Sequence, residues 1–197
     1  MNRLDLIYSA ATKLFSEKGY RGASLQDLAQ EVGIRKASLY HYVANKEELL
    51  YHIFLHVGER IQAQFLKIRK DCPHPLERIE RFIGCYLSFV VTDRPAFRIF
   101  LTEKKELTPQ HRERVEAVCD LLNSLMREAI VQAKMDGLVP EDVKEDLATL
   151  FIFGACNWAV GWFSPQGKYS IKEVARYYAS LFLGGLKEGE LNRGGSL

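Results

Sequence analysis

The chain has 197 residues, enough for one sizeable core or for a small module joined to a larger one. Apolar residues make up 47% and charged residues 26%, a globular composition that excludes a disordered or collagen-like chain. The net charge of +2 is nearly neutral, so a nucleic-acid-binding surface has to come from the placement of the basic residues.

Three features bear on the compartment in which the protein works. The amino-terminal segment is amphipathic and contains Asp5, so we predict no signal peptide. Residues 147–163 carry no charge but include Thr149 and Asn157, which fits a helix buried in a core or subunit interface better than a membrane span. We therefore expect a cytoplasmic protein whose cysteines are reduced and structural. These lie far apart without C-x-x-C spacing, at Cys72, Cys85, Cys119 and Cys156.

Helical periodicity dominates the chain, and no stretch alternates with period two for long enough to predict a strand. An all-α fold of about nine helices is therefore expected. The first helix is predicted over residues 2–18, ending at Gly19 in a left-handed conformation. Ser24 begins the second helix, with Asp27 completing a capping box, and a short third helix follows over residues 35–42.

The six remaining helices are mostly longer. Asn45 caps the fourth, with Glu48 at the reciprocal position, and this helix runs to about Lys70. The change from short to long helices predicts a boundary near residue 46, which gives domains 1–46 and 47–191 and a flexible tail 192–197. The other helices are expected near residues 76–91, 95–101, 108–137, 140–163 and 170–185.

Residues 25–44 fit the template of a helix-turn-helix. Two helices that cross near a right angle need a small residue at the crossing, and Ala29 supplies it. The turn needs a positive φ, which Gly33 adopts without strain. The pattern predicts a three-helix DNA-binding head at the amino terminus of a larger helical domain. Apolar residues at the spacing of a small core are Leu28, Val32, Ile34, Leu39 and Tyr42.

The charge pattern supports the same interpretation, because the stretch from Val32 to Lys46 is basic and contains no acidic residue. Side chains at the start of a recognition helix reach base edges in the major groove. Polar groups at helix N-termini hold phosphates. The candidates to read DNA are Arg35, Lys36, Ser38 and Tyr40, and the candidates to hold phosphates are Ser24 and Lys46.

The stretch GIRKASLYHY at residues 33–42, followed by NKEELL at residues 45–50, resembles the recognition helix and fourth helix of the TetR family of repressors. The resemblance is detailed over about the first 55 residues and architectural beyond them. It implies contacts to bases or phosphates by Lys36, Ala37 and Ser38, and phosphate contacts by Tyr40, His41 and Lys46.

The resemblance also implies a homodimer built from the eighth and ninth helices. The sequence agrees, because the predicted eighth helix is apolar all round, which is more than a monomer needs. Two recognition helices then read a pseudo-palindromic operator. The apolar residues of the two helices are Leu150, Phe151, Phe153, Trp158, Val160, Trp162, Phe163, Val174, Tyr177, Tyr178, Leu181, Phe182 and Leu186.

Helices five to eight are expected to surround an effector pocket, although a place in the core is the alternative for each residue. Asn123 and Asn157 are the polar anchors. Nearby arginines, including Arg78 and Arg112, either receive an anionic headgroup or pair with neighbouring glutamates. The apolar candidates are Phe82, Cys85, Tyr86, Phe89, Phe97, Phe100, Leu122, Met126 and Trp158.

The stretch from Asn157 to Gly167 resembles the regulators of fatty-acid or aromatic-acid degradation that sense acyl-CoA thioesters. We therefore expect a repressor that an acyl-CoA releases from its operator, with no other cofactor. A repressor of an efflux gene that senses lipophilic drugs is the alternative. The lack of several acidic residues inside the apolar helices disfavours cationic drugs.

Other function classes find less support. No histidine follows a glutamate by three positions, as a di-iron carboxylate bundle requires, and no nucleophile elbow or phosphate-binding loop occurs, so we expect no enzyme. His52 and His56 lie one turn apart, but without an evident third ligand we expect a solvated helix face and no metal. A helical module that binds proteins instead of DNA stays open.

Overall fold

The computed structural model describes residues 3–188, so the tail predicted over residues 192–197 lies outside the described residues. All regular secondary structure in this range is helical, which confirms the predicted fold class, and a short 3-10 turn lies at Lys104–Glu106. The helices are α1 (Arg3–Gly22), α2 (Leu25–Glu31), α3 (Lys36–Leu39), α4 (Lys46–Asp71), α5 (Pro75–Thr92), α6 (Arg94–Glu103), α7 (Pro109–Met135), α8 (Glu145–Trp162) and α9 (Ile171–Glu188).

The described residues form two compact units. The first unit contains residues 3–60 and 93–119, and the second contains residues 61–92 and 120–188. The head is therefore not separate from the first unit, in which α1 packs along α6. The boundary predicted near residue 46 falls inside this unit, because α4 begins there and continues without a break.

The core of the first unit includes three of the five side chains that the helix-turn-helix template predicts, because Ile34 is only half-buried and Tyr42 is exposed. Leu28 and Leu39 are buried, but Tyr42 is 43% exposed and Val43 is buried instead. The reason is that α3 is only one turn long. The chain turns after Leu39, where the Tyr42 and Val43 N–H groups both donate to the Leu39 carbonyl.

The core of the second unit is built on aromatic side chains. The rings of Phe65 and Phe82 stack with centroids 4.3 Å apart, and both side chains are fully buried. Tyr86 meets Phe153 edge to face at 4.8 Å. Such pairs contribute about 0.5–1.5 kcal/mol beyond their area burial. The first pair therefore stabilises the packing of α4 against α5, and the second that of α5 against α8.

Several helix ends follow the sequence signals. The capping boxes of Ser24 with Asp27 and of Ser170 with Glu173 are present. Gly19 has a positive φ of 74°, but its ψ of 157° is extended, so the chain makes another helical turn to Gly22 instead of ending in a left-handed cap.

Two other helix starts differ from prediction. Asn45 accepts the Glu48 N–H as expected, but the Glu48 carboxylate accepts the N–H of Ala44 and not that of Asn45. Helix α8 begins at Glu145, because residues 140–143 form a turn whose Val143 carbonyl accepts a hydrogen bond from Lys134. In the part of the chain described, no helix is both long and apolar enough to cross a membrane.

Candidate DNA-binding surface and effector region

The helix-turn-helix is formed as the sequence predicts. Ala29 is fully buried where α2 meets α3, and its carbonyl accepts the Ile34 N–H at 2.9 Å. Gly33 has a φ of +68°, and a Cβ there would meet nothing within 4 Å. The left-handed backbone, and not the space around it, is therefore what requires glycine at this turn.

The predicted reading residues lie on one short segment at and after the start of α3. Ser38 is half-buried, and the others are exposed. Within residues 3–188 neither Arg35 nor Lys36 forms an ion pair, so both cations are open to an external anion. Tyr42 is also exposed on this segment, although the sequence predicts it in the core. The exposed members are Arg35, Lys36, Ala37, Tyr40, His41 and Tyr42.

Ser24 is occupied by its own helix cap. Its hydroxyl accepts the Asp27 N–H at 3.1 Å, and the Asp27 carboxylate accepts the Ser24 N–H at 2.9 Å and the Ser24 hydroxyl. These bonds to Ser24, with the nearby Lys18 ammonium, lower the pKa of Asp27 to about 2. A phosphate at this helix end would therefore meet a carboxylate, which does not favour the predicted contact by Ser24.

Lys46 also has partners within the head. Its ammonium donates to the carbonyls of Tyr20 at 2.8 Å and Ala23 at 3.0 Å, and it lies 4.3 Å from the centre of the Tyr20 ring. Carbonyls at the end of a helix lack intrahelical partners. Lys46 binds the Ala23 carbonyl just after α1 and adds a second donor to the Tyr20 carbonyl, which also accepts the Ala23 N–H. Burial raises the pKa of Tyr20 to about 12, so the phenol stays neutral beneath the cation. Two of the three ammonium N–H groups of Lys46 are used in these bonds, so one remains to bind a phosphate.

Most of the predicted effector-binding residues lie in the second unit. The Tyr86 hydroxyl on α5 donates to Asn157 Oδ1 on α8 at 2.9 Å, so the structure brings two of them together. The desolvated Cys85 thiol nearby has its pKa raised to about 11, so it is not a thiolate at neutral pH. Phe82, Leu122 and Met126 are buried, and Cys85, Phe89 and Asn123 are half-buried.

Three candidates are placed elsewhere. Phe97 and Phe100 belong to the first unit, where the Phe100 ring meets Phe54 edge to face at 5.3 Å. Trp158 is 72% exposed on the outside of α8, so it lines no interior space within a single chain. Helical periodicity could not have shown this, because α8 is apolar on both its inner and outer faces.

Two of the arginines suggested for an anionic headgroup have structural partners. Arg78 is buried and donates to the carbonyls of Cys72 and Pro73, which follow α4. Arg112 donates to the carbonyls of Lys105 and Leu107. Both side chains therefore hold turns of the backbone in place.

The outer face of α8 exposes large apolar side chains at helical spacing, and α9 continues the surface. Phe151 is 66% exposed, and its ring stacks on Phe182 of α9. Contiguous apolar surface of this kind marks an interaction site. The exposed residues are Leu147, Leu150, Phe151, Trp158, Trp162, Tyr177 and Leu181.

His52 lies beside an acid and an aromatic ring. Its Nε2 is 3.8 Å from Glu48 Oε1, and its ring contacts Tyr8. Over residues 3–188, no group of three or more His, Cys, Asp or Glu side chains is arranged to hold a metal ion.

Comparison with known proteins places these features in a family. A family model described as bacterial regulatory proteins, tetR family, matches residues 7–53. A second, described as tetracyclin repressor-like, C-terminal domain, matches residues 73–186.

Solved structures and a curated relative agree over most of the chain. The TetR family transcriptional regulator PfmR from Thermus thermophilus is 36% identical with a TM-score of 0.85, covering 91% of this chain and 98% of that chain. AibR in complex with isovaleryl coenzyme A and operator DNA is 27% identical with a TM-score of 0.83, covering 91% and 97%. The transcriptional repressor KstR2 of Mycobacterium tuberculosis is 26% identical over 190 residues, which is 95% of each protein. The chain therefore belongs to the TetR family of helix-turn-helix transcriptional regulators.

Proposed function

We propose that this regulator is a homodimeric repressor that an acyl-CoA thioester releases from its operator. The observation that carries the proposal is the polar pair of Tyr86 and Asn157 among the aromatic side chains of the second unit. AibR, whose structure holds isovaleryl coenzyme A and operator DNA, supports the choice of effector class.

The DNA-reading role rests on the exposed residues at the start of α3. Arg35 presents a planar fork of N–H donors that matches the O6 and N7 atoms of guanine. Lys36 and Ser38 follow it on the helix, and His41 lies in the turn after it, within reach of phosphates. Binding operator DNA requires the protein to work in the cytoplasm.

The proposed dimer uses the apolar face of α8 and α9. Exposed side chains such as Leu150, Phe151 and Tyr177 are costly to leave in water. An interface between identical chains about a two-fold axis buries the same patch on both. It also presents two recognition helices to an operator with matching symmetry.

The proposed sensing role uses both ends of the polar pair. Asn157 Oδ1 accepts the Tyr86 hydroxyl, so the amide N–H groups of Asn157 stay available to donate to a thioester carbonyl. The surrounding aromatic side chains suit an acyl chain, which binds by the hydrophobic effect. Ligand binding then favours the conformation that does not fit DNA. A 100-fold preference for that state supplies roughly 2.7 kcal/mol per site.

A fluorescence anisotropy titration tests the proposal. The wild-type protein is bound to a labelled duplex that it has enriched from a random library, and acyl-CoAs from two to eighteen carbons are added. We expect release at micromolar concentration by a subset of chain lengths, with free CoA and free fatty acids as controls. Retention of the duplex with every acyl-CoA would overturn the effector assignment.

A variant pair ties the response to the polar pair. We expect Asn157→Leu to raise the acyl-CoA concentration needed for release at least tenfold, because the donor to the thioester carbonyl is lost. The matched control is Gln64→Leu, which removes an exposed amide from the same unit and should respond as wild type. Equal responses of Asn157→Leu and wild type would remove the pair from the mechanism.

A further inference from the structure

A carboxylate at the start of α4 binds the start of α7. Glu47 is the second residue of α4, and its Oε1 accepts the backbone N–H of Thr108 at 2.8 Å. The His111 Nδ1 atom lies 3.0 and 2.9 Å from the two Glu47 carboxylate oxygens. Because an ionised carboxylate only accepts hydrogen bonds, Nδ1 is the protonated ring nitrogen. The negative charge also lies at the positive end of the α7 dipole.

A third side chain holds the same imidazole from its face. Tyr51 lies one helical turn after Glu47, and its ring stacks on His111 with centroids 3.8 Å apart and an interplanar angle of 7°. Tyr51 is 8% exposed. The His111 and Glu47 side chains are 28% and 16% exposed, and hydrogen bonds that are partly sheltered from water are stronger than the same bonds at an open surface.

Further along, α4 and α7 approach each other closely at a glycine. A Cβ built on Gly58 would lie 2.9 Å from Val118 Cγ1. Gly58 is eleven residues after Glu47, or roughly 16 Å along a helix rising 1.5 Å per residue. Within the first unit the two helices are therefore held at two separated points, one polar and one a close packing contact.

The start of α4 is in turn fixed to the recognition helix. The Glu48 carboxylate accepts the Ala44 N–H, and Asn45 Oδ1 accepts the Glu48 N–H. The preceding residue, Val43, donates its N–H to the Leu39 carbonyl at the end of α3, so the short connection is hydrogen-bonded at both of its ends. Lys46 ties the same segment to the end of α1. A displacement of α4 at Glu47 is thus transmitted to the head by hydrogen bonds and not by a loose linker.

We propose that Glu47, Tyr51 and His111 form an interhelical latch that positions the recognition helix for DNA. The three are positioning residues, since they act on the operator through α4. The inference rests on DNA binding by the TetR family and is independent of which effector the protein senses. A role in stability alone would instead lower the unfolding temperature and leave the DNA affinity of the folded protein unchanged.

A double-mutant cycle on DNA affinity distinguishes these two roles. Glu47→Ala, His111→Ala and the double variant are titrated against a duplex enriched from a random library by the wild-type protein, and their unfolding temperatures are measured in parallel. We expect each single variant to bind five- to twentyfold more weakly. The double variant should bind DNA no more weakly than the weaker-binding single variant, because the losses of affinity are not additive when the two residues act as a unit.

Conservative variants and a matched control separate the latch from general damage. Glu47→Gln keeps an oxygen for the Thr108 N–H, and His111→Asn keeps an N–H near the position of Nδ1, so both should bind within threefold of wild type. The control variant His56→Ala removes an exposed histidine from α4, the helix that carries Glu47, and should bind DNA as the wild-type protein does. Affinities within twofold of wild type for all alanine variants, alongside lowered unfolding temperatures, would overturn the proposal.

An experiment on the wild-type protein covers the case in which the alanine variants do not fold. The imidazole resonances of His111 are followed by NMR as the same duplex is added, with those of His56 as the internal reference. Since His111 does not touch DNA under the proposal, a shift of its resonances reports the coupling. Unchanged His111 resonances at saturating duplex would contradict the latch.

Discussion

Both units have apolar cores, and each has a characteristic set of further contacts between its helices. In the first unit, polar bonds join elements far apart in sequence, such as Lys46 to the end of α1 and Glu47 to the start of α7. In the second, stacked aromatic rings such as Phe65 and Phe82 form the core. Directional bonds fix positions, which reading bases demands, whereas an apolar interior accepts ligands by shape and area. Under the proposed function, the first unit reads DNA and the second senses the effector.

Removing a core ring of the second unit tests the aromatic half of this comparison and has the largest expected effect. Phe82→Ala should lower the free energy of unfolding by about 3–5 kcal/mol, because it leaves a cavity beside Phe65. Chemical denaturation measures the change. Tyr169→Ala, which removes a half-exposed ring, should cost less than about 0.5 kcal/mol. Similar losses for the two variants would mean that the stack is not the centre of the unit.

Charging the apolar face of α8 tests the proposed dimer. Phe151→Glu places a carboxylate where the interface would exclude water, and we expect it to weaken dimerisation at least 100-fold, or about 2.7 kcal/mol. Sedimentation velocity measures the oligomeric state. Asp146→Asn, an exposed position on the same helix, is the control and should stay dimeric. If the Phe151→Glu protein is still a dimer, this face of α8 is not the dimer interface.

The recognition helix sharpens the comparison from the side of the first unit. Arg35→Ala should weaken binding to an enriched duplex by about 1–3 kcal/mol and relax the preference at one base pair. Lys67→Ala, an exposed cation of the second unit, should leave binding unchanged. Competition with single-base variants of the duplex measures both effects. If Lys67→Ala binds the duplex as weakly as Arg35→Ala does, the basic residues contribute only through the net charge of the protein and not by reading bases.

The smallest expected effect concerns the cap of α2. Ser24→Ala should cost about 1 kcal/mol through loss of the helix cap. The pKa of Asp27 should rise from about 2 toward its ordinary 3.8. Since the pKa is depressed in the folded state, the contribution of Asp27 is present above pH 3.8 and is lost as the pH falls through about 2.

Carboxyl NMR of Asp27 measures this shift, with Ser180→Ala in α9 as a control hydroxyl. An unaltered titration of Asp27 in Ser24→Ala would show that the capping bonds do not set its pKa.

Contacts between residues close in sequence could be predicted, whereas contacts between distant residues could not. The capping box at Ser24 and the turn at Gly33 lie within a few residues of their partners, so residue type and spacing are enough to predict them. Tyr42 is exposed and not in the core as predicted, because the length of α3 depends on tertiary packing. The bond from Glu47 to His111 spans 64 residues, and no periodicity links the two. The partners of Lys46 are backbone carbonyls, which leave no signature in the sequence.

The effector region was predictable only in part, for the same reason. Tyr86 and Asn157 do meet, but their pairing depends on how α5 packs on α8. Trp158 is exposed even though α8 is apolar enough to suggest burial on every side. A helix face that contacts a second chain and one that packs in the core are both apolar, so the sequence alone does not distinguish them.

The division of work between the two units is tested most directly by measuring two affinities on two variants. Lys36→Ala and Asn157→Leu are each titrated with the enriched duplex and with the acyl-CoA that releases it from the wild-type protein. We predict that Lys36→Ala loses DNA affinity at least tenfold and keeps the acyl-CoA affinity, and that Asn157→Leu does the reverse. Loss of both affinities in either variant would contradict separate reading and sensing units.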